Sequence, residues 1–237
     1  MITDPFYWIV MGAGLLLSLW ASSRVKGTFA KFSQFTTRSG LTGAEVARRI
    51  LQDNGIHDVK VERVPGHLSD HYDPTHKVLR LSEAVYDQRN MAAFGVAAHE
   101  VGHAIQHATG YAPLKFRSAW VPVASIGSNL GIWVVFGALM LGAARGAGGF
   151  PMLLGIIGLG LFACATVFTL VTLPVEFDAS KRAIAALERG GYTTSEENDG
   201  ARKVLDAAAL TYVAAAAASI LQLLYWAYVL FGNRSEE

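Results

Sequence analysis

The sequence of 237 residues predicts an α-helical membrane protein with about four transmembrane helices and a small α+β domain. Hydrophobic residues make up 52% of the chain and charged residues only 16%, whereas soluble domains carry about 25% charged residues. Four long runs contain no charged side chain at all, and each approaches or exceeds the roughly 20 residues that a helix needs to cross a bilayer. These runs are 5–23, 119–144, 146–175 and 207–233.

The composition also excludes several other classes of protein. A mean hydropathy of +0.32 is too high for a disordered chain. The single cysteine, Cys164, cannot form a disulfide within the chain. A net charge of +1 provides no overall attraction to nucleic acid, so we expect a lipid bilayer as partner and no nucleic acid.

The first uncharged run predicts a transmembrane helix within residues 1–23, with its apolar core from Phe6 to Ala21. A secretory signal peptide is the alternative, because the run is short. However, no basic side chain precedes it, and Asp4 stands where a signal peptide carries positive charge. A retained helix is therefore the favoured interpretation.

Residues 24–118 have the pattern of a small folded domain. Thr42 and Glu45 have the spacing of a capping box, and Gly55 is placed to end the helix that follows. This predicts a helix over about 43–53. Beyond it, alternating apolar residues predict a half-buried strand, formed around Val59, Val61 and Val64.

The same segment ends in a hairpin and a buried helix. Asp73-Pro74-Thr75-His76 is a typical turn sequence and predicts a hairpin over 67–82. The stretch from Met91 to Thr109 is apolar nearly all round, which predicts a buried helix.

The rest of the chain predicts three further membrane helices. Helices two and three, over 119–175, meet at a glycine-rich turn, 143–149, that carries Arg145. A polar segment, 176–206, precedes the fourth helix and tail, 207–237. Small residues in the third and fourth helices indicate close helix packing. Aromatic residues near the end of the fourth helix indicate that this end lies at the membrane–water interface. The small residues are Gly155, Gly158, Gly160 and Ala214 to Ala218, and the aromatic ones are Tyr225, Trp226 and Tyr228.

Basic residues near the membrane indicate the orientation. They flank the first, second and third helices on one and the same side, which the positive-inside tendency makes cytoplasmic. Both termini and the Arg145 turn are then expected outside. The basic residues concerned are Arg24, Lys26, Lys31, Lys115, Arg117, Lys181 and Arg182.

The buried helix contains the motif H-E-x-x-H at His99-Glu100-Val101-Gly102-His103. Residues four apart share a helix face, so both imidazoles can bind one Zn²⁺, while Glu100 can reach the water that the ion holds. The alternative is a pair of core histidines beside an unpaired glutamate. That arrangement is costly, because a buried carboxylate without a partner is unfavourable.

Catalytic zinc sites have three protein ligands, so one ligand remains to be found. The elongated motif H-E-x-x-H-x-x-G-x-x-H, which supplies a third histidine, does not match this sequence. Gln106 and Thr109 stand where that motif requires glycine and histidine. His107 lies one turn beyond His103, but a third ligand from the same helix would be badly placed around a tetrahedral ion. An interfacial or supporting role is favoured for His107.

Topology directs attention to the segment after the third helix, which returns the chain to the side that holds the histidines. Glu176 is predicted to begin a helix there and to be the third ligand. Asp178 suits a position at a helix N-terminus better, and we expect it to orient a histidine. Small residues on the same face permit close packing on the motif helix, and these are Ala179, Ser180 and Ala183.

Four stretches of the chain resemble the bacterial membrane zinc metallopeptidases of the YugP type. They are 70–74 (DHYDP), 79–86 (LRLSEAVY), 97–106 (AAHEVGHAIQ) and 174–180 (PVEFDAS). The resemblance covers nearly the whole chain. It implies a multi-pass protein of the bacterial inner membrane with a small zincin-like catalytic domain, a gluzincin related in plan to HtpX-like proteases.

The resemblance also implies residue roles: His99 and His103 as zinc ligands, Glu100 as catalytic base and, by analogy, Glu176 as third ligand. HtpX-like enzymes carry an aspartate four residues after that glutamate, whereas this chain has Ser180. The support of the ligands must therefore differ, and Asp178 is the expected substitute.

The expected activity is zinc-assisted hydrolysis of peptide bonds in a polypeptide or membrane-protein substrate, with Glu100 as general base. An extended substrate is expected to pair with the edge of the 67–82 hairpin. Arg182 and Tyr192 are candidates to stabilise the oxyanion, although a salt-bridging arginine and an ordinary loop tyrosine are the favoured interpretations.

Three other functions stay open. A site-2-type intramembrane protease would take its third ligand from a later aspartate, and the only Asp-Gly, Asp199-Gly200, lies in a predicted polar loop from Ser195 to Gly200. A non-catalytic zinc scaffold would not need Glu100 beside the ligands. A transporter would need an acidic, basic or histidine side chain inside a membrane run for its ion or substrate pathway, and none is present.

Overall fold

The computed structural model describes residues 5–66, 69–143 and 149–232. Within these ranges the chain is mainly helical and contains one three-stranded sheet. In chain order the elements are α1 (Pro5–Phe32), α2 (Gly43–Asp53), β1 (Lys60–Val64), β2 (His71–Asp73), β3 (Val78–Ser82), α3 (Glu83–Tyr86), α4 (Met91–Ala108), α5 (Ala112–Met140), α6 (Phe150–Arg189) and α7 (Ser195–Phe231).

Four of these helices, α1, α5, α6 and α7, are long and apolar enough to cross a membrane. They contain 28, 29, 40 and 37 residues, respectively. The prediction of about four such helices is therefore confirmed by length and composition. Most of the predicted turn between the second and third, including Arg145, falls in residues 144–148 and lies outside the described residues.

Two of the predicted helix starts, at Glu176 and at residue 207, are wrong. Glu176 does not begin a helix but lies inside α6, which continues through Pro174 to Arg189. A proline in a helix removes one backbone hydrogen bond, and the helix-forming residues that follow sustain the helix.

The segment from Ser195 to Gly200 is the first part of α7, not a polar loop. A second capping box starts this helix: the Thr194 amide donates to the Glu197 carboxylate at 2.8 Å, and the Glu197 amide donates to the Thr194 hydroxyl at 3.3 Å. Such a reciprocal pair satisfies amides that would otherwise lack partners at a helix start.

The chain divides into two compact units. The first, the helical unit, comprises the described residues within 1–20, 116–173 and 212–237. The second, the mixed unit, comprises 21–115 and 174–211 and contains the sheet and the H-E-x-x-H helix.

Glycine brings α5 and α6 into close contact within the helical unit. A Cβ atom added at Gly158 would lie 2.7 Å from the Val135 amide nitrogen, so only glycine permits this approach. Gly160 does not serve the same purpose, because it faces open space. Of the aromatic group on α7, Tyr225 and Trp226 are buried inside this unit.

The mixed unit confirms the local predictions made for its first half. Helix α2 spans Gly43–Asp53 and begins with the capping box of Thr42 and Glu45. In the sheet, the strand order is β1-β3-β2, with β1 parallel and β2 antiparallel to β3. Strands β2 and β3 form the predicted hairpin, whose residues 67 and 68 lie outside the described ranges.

Helix α4 lies at the centre of this unit, as its apolar sequence predicts. Its buried residues pack in one core with residues of α2, the sheet, α6 and α7. Alanines dominate this buried surface, so neighbouring backbones come close to α4. The buried residues of α4 in the core are Ala92, Ala93, Phe94, Ala97, Ala98, Val101, Ala104 and Ile105.

Candidate metal centre

Helix α4 presents His99 and His103 on one face, as their spacing of four residues requires. Asn90 caps the start of the helix, and its side chain accepts a hydrogen bond from the Ala93 amide. Both imidazoles are largely enclosed, with 14% of the His99 side chain and 12% of the His103 side chain exposed. The two rings lie nearly at right angles, at 83°, with centroids 4.8 Å apart.

Glu176 on α6 completes a group of three possible ligands. One oxygen of its carboxylate lies 3.2 Å from His99 Nε2 and 3.6 Å from His103 Nε2. The ligand atoms of all three residues lie within 4.8 Å of one another. Only 3% of the Glu176 side chain is exposed. The structure thus brings together the three residues that were predicted as ligands.

A close approach of α4 and α6 makes this grouping possible. A Cβ atom added at Gly102 would lie only 3.0 Å from the Ala179 carbonyl carbon and closer still to its oxygen. The contact is between backbones, which cannot yield as a flexible side chain could. Ala179 was predicted to permit close packing, whereas the importance of Gly102, inside the motif, was not recognised from the sequence.

The second nitrogen of each histidine also has a polar neighbour. Ser180 Oγ lies 3.1 Å from His99 Nδ1. The expectation that Asp178 takes the place of a missing aspartate at position 180 is therefore wrong, because Ser180 itself occupies that place. A serine one turn after Glu176 faces α4, as the ligand does, because both lie on the same side of α6.

On His103, the neighbour is Gln106. Its Oε1 lies 3.0 Å from His103 Nδ1, and its Nε2 donates to the Asp178 carboxylate at 2.8 Å. Asp178 also accepts a 2.5 Å hydrogen bond from Arg182 Nε. Asp178 thus contacts the histidine only through Gln106. The sequence signal for Gln106 was its position three residues after His103, on the same helix face.

Glu100 lies beside the ligands and is 8% exposed. Its negative charge acts on His103 together with Glu176. Burial lowers the pKa of His103, but the neighbouring carboxylates of Glu176 and Glu100 outweigh burial and raise this pKa above its ordinary value. The pocket is therefore electrostatically suited to positive charge.

Other candidates from the sequence lie elsewhere or have other partners. His107 is exposed, and its Nδ1 lies 2.8 Å from the Tyr72 hydroxyl. Arg182 forms its salt bridge with Asp178 and lies over the Tyr111 ring. The Tyr192 hydroxyl donates to Asp53 at 2.5 Å.

Asp199, the ligand that a site-2-type protease would require, belongs to the first turns of α7. Among the described residues, the group of possible ligands at the H-E-x-x-H motif contains Glu176 and not Asp199.

The three side chains fit a zinc ion by their chemistry and spacing. Two imidazole nitrogens and one carboxylate are a known ligand set of catalytic zinc sites. With metal–ligand bonds of about 2.0–2.1 Å and tetrahedral angles, neighbouring ligand atoms lie about 3.3 Å apart. The distances of 3.2 and 3.6 Å from the Glu176 oxygen agree with that value to a few tenths of an ångström, whereas the group as a whole spans up to 4.8 Å.

Comparisons with known proteins agree with this chemistry. Residues 7–231 match the family described as "Putative neutral zinc metallopeptidase". The chain is also 47% identical, over 226 residues, to the "Putative membrane protease YugP" of Bacillus subtilis (strain 168), covering 94% of this chain and 96% of that protein. No solved structure matches the chain. With nearly its whole length matched and the expected ligand types grouped in its core, the chain belongs to this zinc metallopeptidase family.

Proposed function

We propose that the protein is a membrane-embedded zinc metalloendopeptidase. The observation that carries this proposal is the group of His99, His103 and Glu176, whose ligand atoms lie within 4.8 Å of one another beside Glu100. The mixed unit, in which a small sheet precedes the H-E-x-x-H helix, supports a zincin-like catalytic domain. The family match and the four apolar helices support a protease in a membrane.

In this mechanism, His99 and His103 would hold the ion through their imidazole nitrogens, and Glu176 would hold it through its carboxylate. Zinc in such a site supplies a Lewis acid that acidifies water and polarises the scissile carbonyl group. Glu100 accepts the proton of the attacking water and passes it to the leaving amine. The buried position of Glu100 beside His103 supports this role, because a general base must lie near the reacting atoms.

The substrate is a polypeptide or a membrane protein, in an extended conformation at the cleavage site. The sheet supports this proposal, because β2 is an edge strand that pairs with β3 on one side. Tyr72 on β2 contacts His107 at the end of α4. An extended peptide paired with β2 would therefore run beside the motif helix, as in β-strand addition.

Metal removal tests the proposed activity. Purified protein is expected to hold about one zinc ion per chain and to cleave denatured, fluorophore-labelled casein. Treatment with 1,10-phenanthroline should abolish cleavage, and added zinc should restore it, with metal content measured by atomic absorption. Cleavage that continues after complete loss of zinc would contradict the mechanism.

We further propose that the protein lies in the bacterial inner membrane with its metal centre on the cytoplasmic side. The basic residues beside the membrane runs support this orientation. In a Cys164→Ser background, Thr109→Cys should react with a membrane-impermeant maleimide only after cells are permeabilised, because Thr109 is exposed at the end of α4. Arg145→Cys should react in intact cells. The opposite labelling pattern would reverse the orientation.

A further inference from the structure

Gln106 is a completely buried polar residue in the wall of the metal centre, and its side chain joins α4 to α6. We propose that Gln106 is a positioning residue with two effects on the metal centre: it sets the tautomer of His103 and holds the Glu176 segment of α6 in register with α4. This inference rests on the proposed zinc site and concerns how strongly that site binds the ion.

The hydrogen bonds of Gln106 determine the orientation of its amide group. Its Nε2 donates to the Val175 carbonyl oxygen and to Asp178 Oδ2, both at 2.8 Å. Both partners are acceptors, so the nitrogen must face them. The amide oxygen consequently faces His103 Nδ1 at 3.0 Å.

This orientation leaves His103 a single suitable tautomer. An amide oxygen only accepts hydrogen bonds, so His103 must carry its proton on Nδ1 and donate it to Gln106. In the neutral imidazole, which is the form that binds a metal ion, Nε2 therefore carries the lone pair and faces Glu176. Partners of this kind orient a metal-binding histidine and raise its basicity.

His99 is held differently, which makes Gln106 the more important of the two supports. The neighbour of His99 Nδ1 is the Ser180 hydroxyl, which can donate or accept a hydrogen bond and so does not select a tautomer. In addition, the two acceptors of Gln106 on α6, Val175 and Asp178, stand on either side of Glu176 in the chain. One buried amide therefore positions ligands on both helices.

Substitutions at this position test the inference through zinc affinity, measured by competition with a fluorescent chelator. Gln106→Leu removes all three hydrogen bonds and is expected to weaken zinc binding by about 10- to 100-fold. The absorption spectrum of bound Co²⁺ should change as well, because the His103 ring loses its orientation. Gln52→Leu, at an exposed glutamine on α2, is the matched control and should bind as the parent does.

Exchanging the carboxylate and the amide between positions 106 and 178 distinguishes loss of the Gln106–Asp178 hydrogen bond from general damage to the fold. Gln106→Glu places a carboxylate oxygen against both acceptors of the Gln106 amide, the Asp178 carboxylate and the Val175 carbonyl oxygen, and should weaken zinc binding. Adding Asp178→Asn provides an amide donor to the new carboxylate, which can still accept the His103 proton. The double variant is therefore expected to regain at least about tenfold in affinity over Gln106→Glu alone, a gain within the range that such partners contribute.

Three outcomes would count against this assignment. Zinc affinity and a Co²⁺ spectrum like those of the parent in Gln106→Leu would overturn it. A double variant that binds zinc no more tightly than Gln106→Glu would also overturn it. This second test applies even if Gln106→Leu fails to fold. If the parent protein itself bound no zinc, the proposed function would fail and this inference with it. The affinity of the parent thus distinguishes the two failures.

Discussion

Replacing Glu100 by glutamine is expected to leave zinc bound and to lower the rate of peptide cleavage by about 10²- to 10⁴-fold, the usual contribution of a general base. Glutamine has nearly the same shape as glutamate, so the packing of α4 is preserved. It cannot accept a proton from the attacking water, so cleavage is lost. The measurement compares initial rates on denatured, labelled casein with zinc content determined on the same samples.

The control for Glu100→Gln is Glu83→Gln, which neutralises an exposed glutamate on α3. It should cleave at the parent rate. Parent-like cleavage by Glu100→Gln would exclude Glu100 as the base. If the parent protein binds zinc but cleaves no polypeptide, the non-catalytic zinc scaffold would be favoured instead.

Replacing Glu176 by alanine is expected to weaken zinc binding by more than about 100-fold. Loss of a partner that merely orients a ligand costs about 10- to 100-fold, and a direct ligand should cost more. The substitution also leaves the two histidines without the carboxylate that lies 3.2 and 3.6 Å from their Nε2 atoms. Isothermal calorimetry or chelator competition measures the effect.

Two further variants on α6 serve as comparisons for Glu176→Ala. Glu188→Ala removes an exposed glutamate of α6 and should leave zinc affinity unchanged. Asp178→Ala should have an intermediate effect, because Asp178 acts through Gln106. If Asp178→Ala abolished zinc binding while Glu176→Ala did not, the ligand role would pass to Asp178.

Features that depend on neighbours in the chain could be predicted from the sequence. The capping box at Thr42 and Glu45, the hairpin turn and the pairing of His99 with His103 on one face involve residues a few positions apart. Their geometry follows from the repeat of a helix or a turn, whatever surrounds them. The apolar runs likewise predicted four helices of membrane length, because hydropathy over about 20 residues requires no tertiary contact.

The same local reasoning failed where two patterns overlapped. Pro174 and the polar residues after it resemble a helix start, yet α6 passes through them. The polar stretch after Thr194 resembles a loop, but Thr194 and Glu197 form a capping box that begins α7. In the second case the signal was present in the sequence, since T-x-x-E has the required spacing.

The sequence by itself therefore determined the apolar runs of membrane length, the two histidines of the candidate metal centre and the glutamate beside them. The order of the helices also predicted Glu176, but only the tertiary structure decided that Ser180 lies behind His99 and Asp178 behind Gln106. The physical reason is that these partners lie 72 to 81 positions apart in the chain. Their meeting depends on how closely α4 and α6 approach at Gly102 and Ala179, and no local spacing encodes that distance.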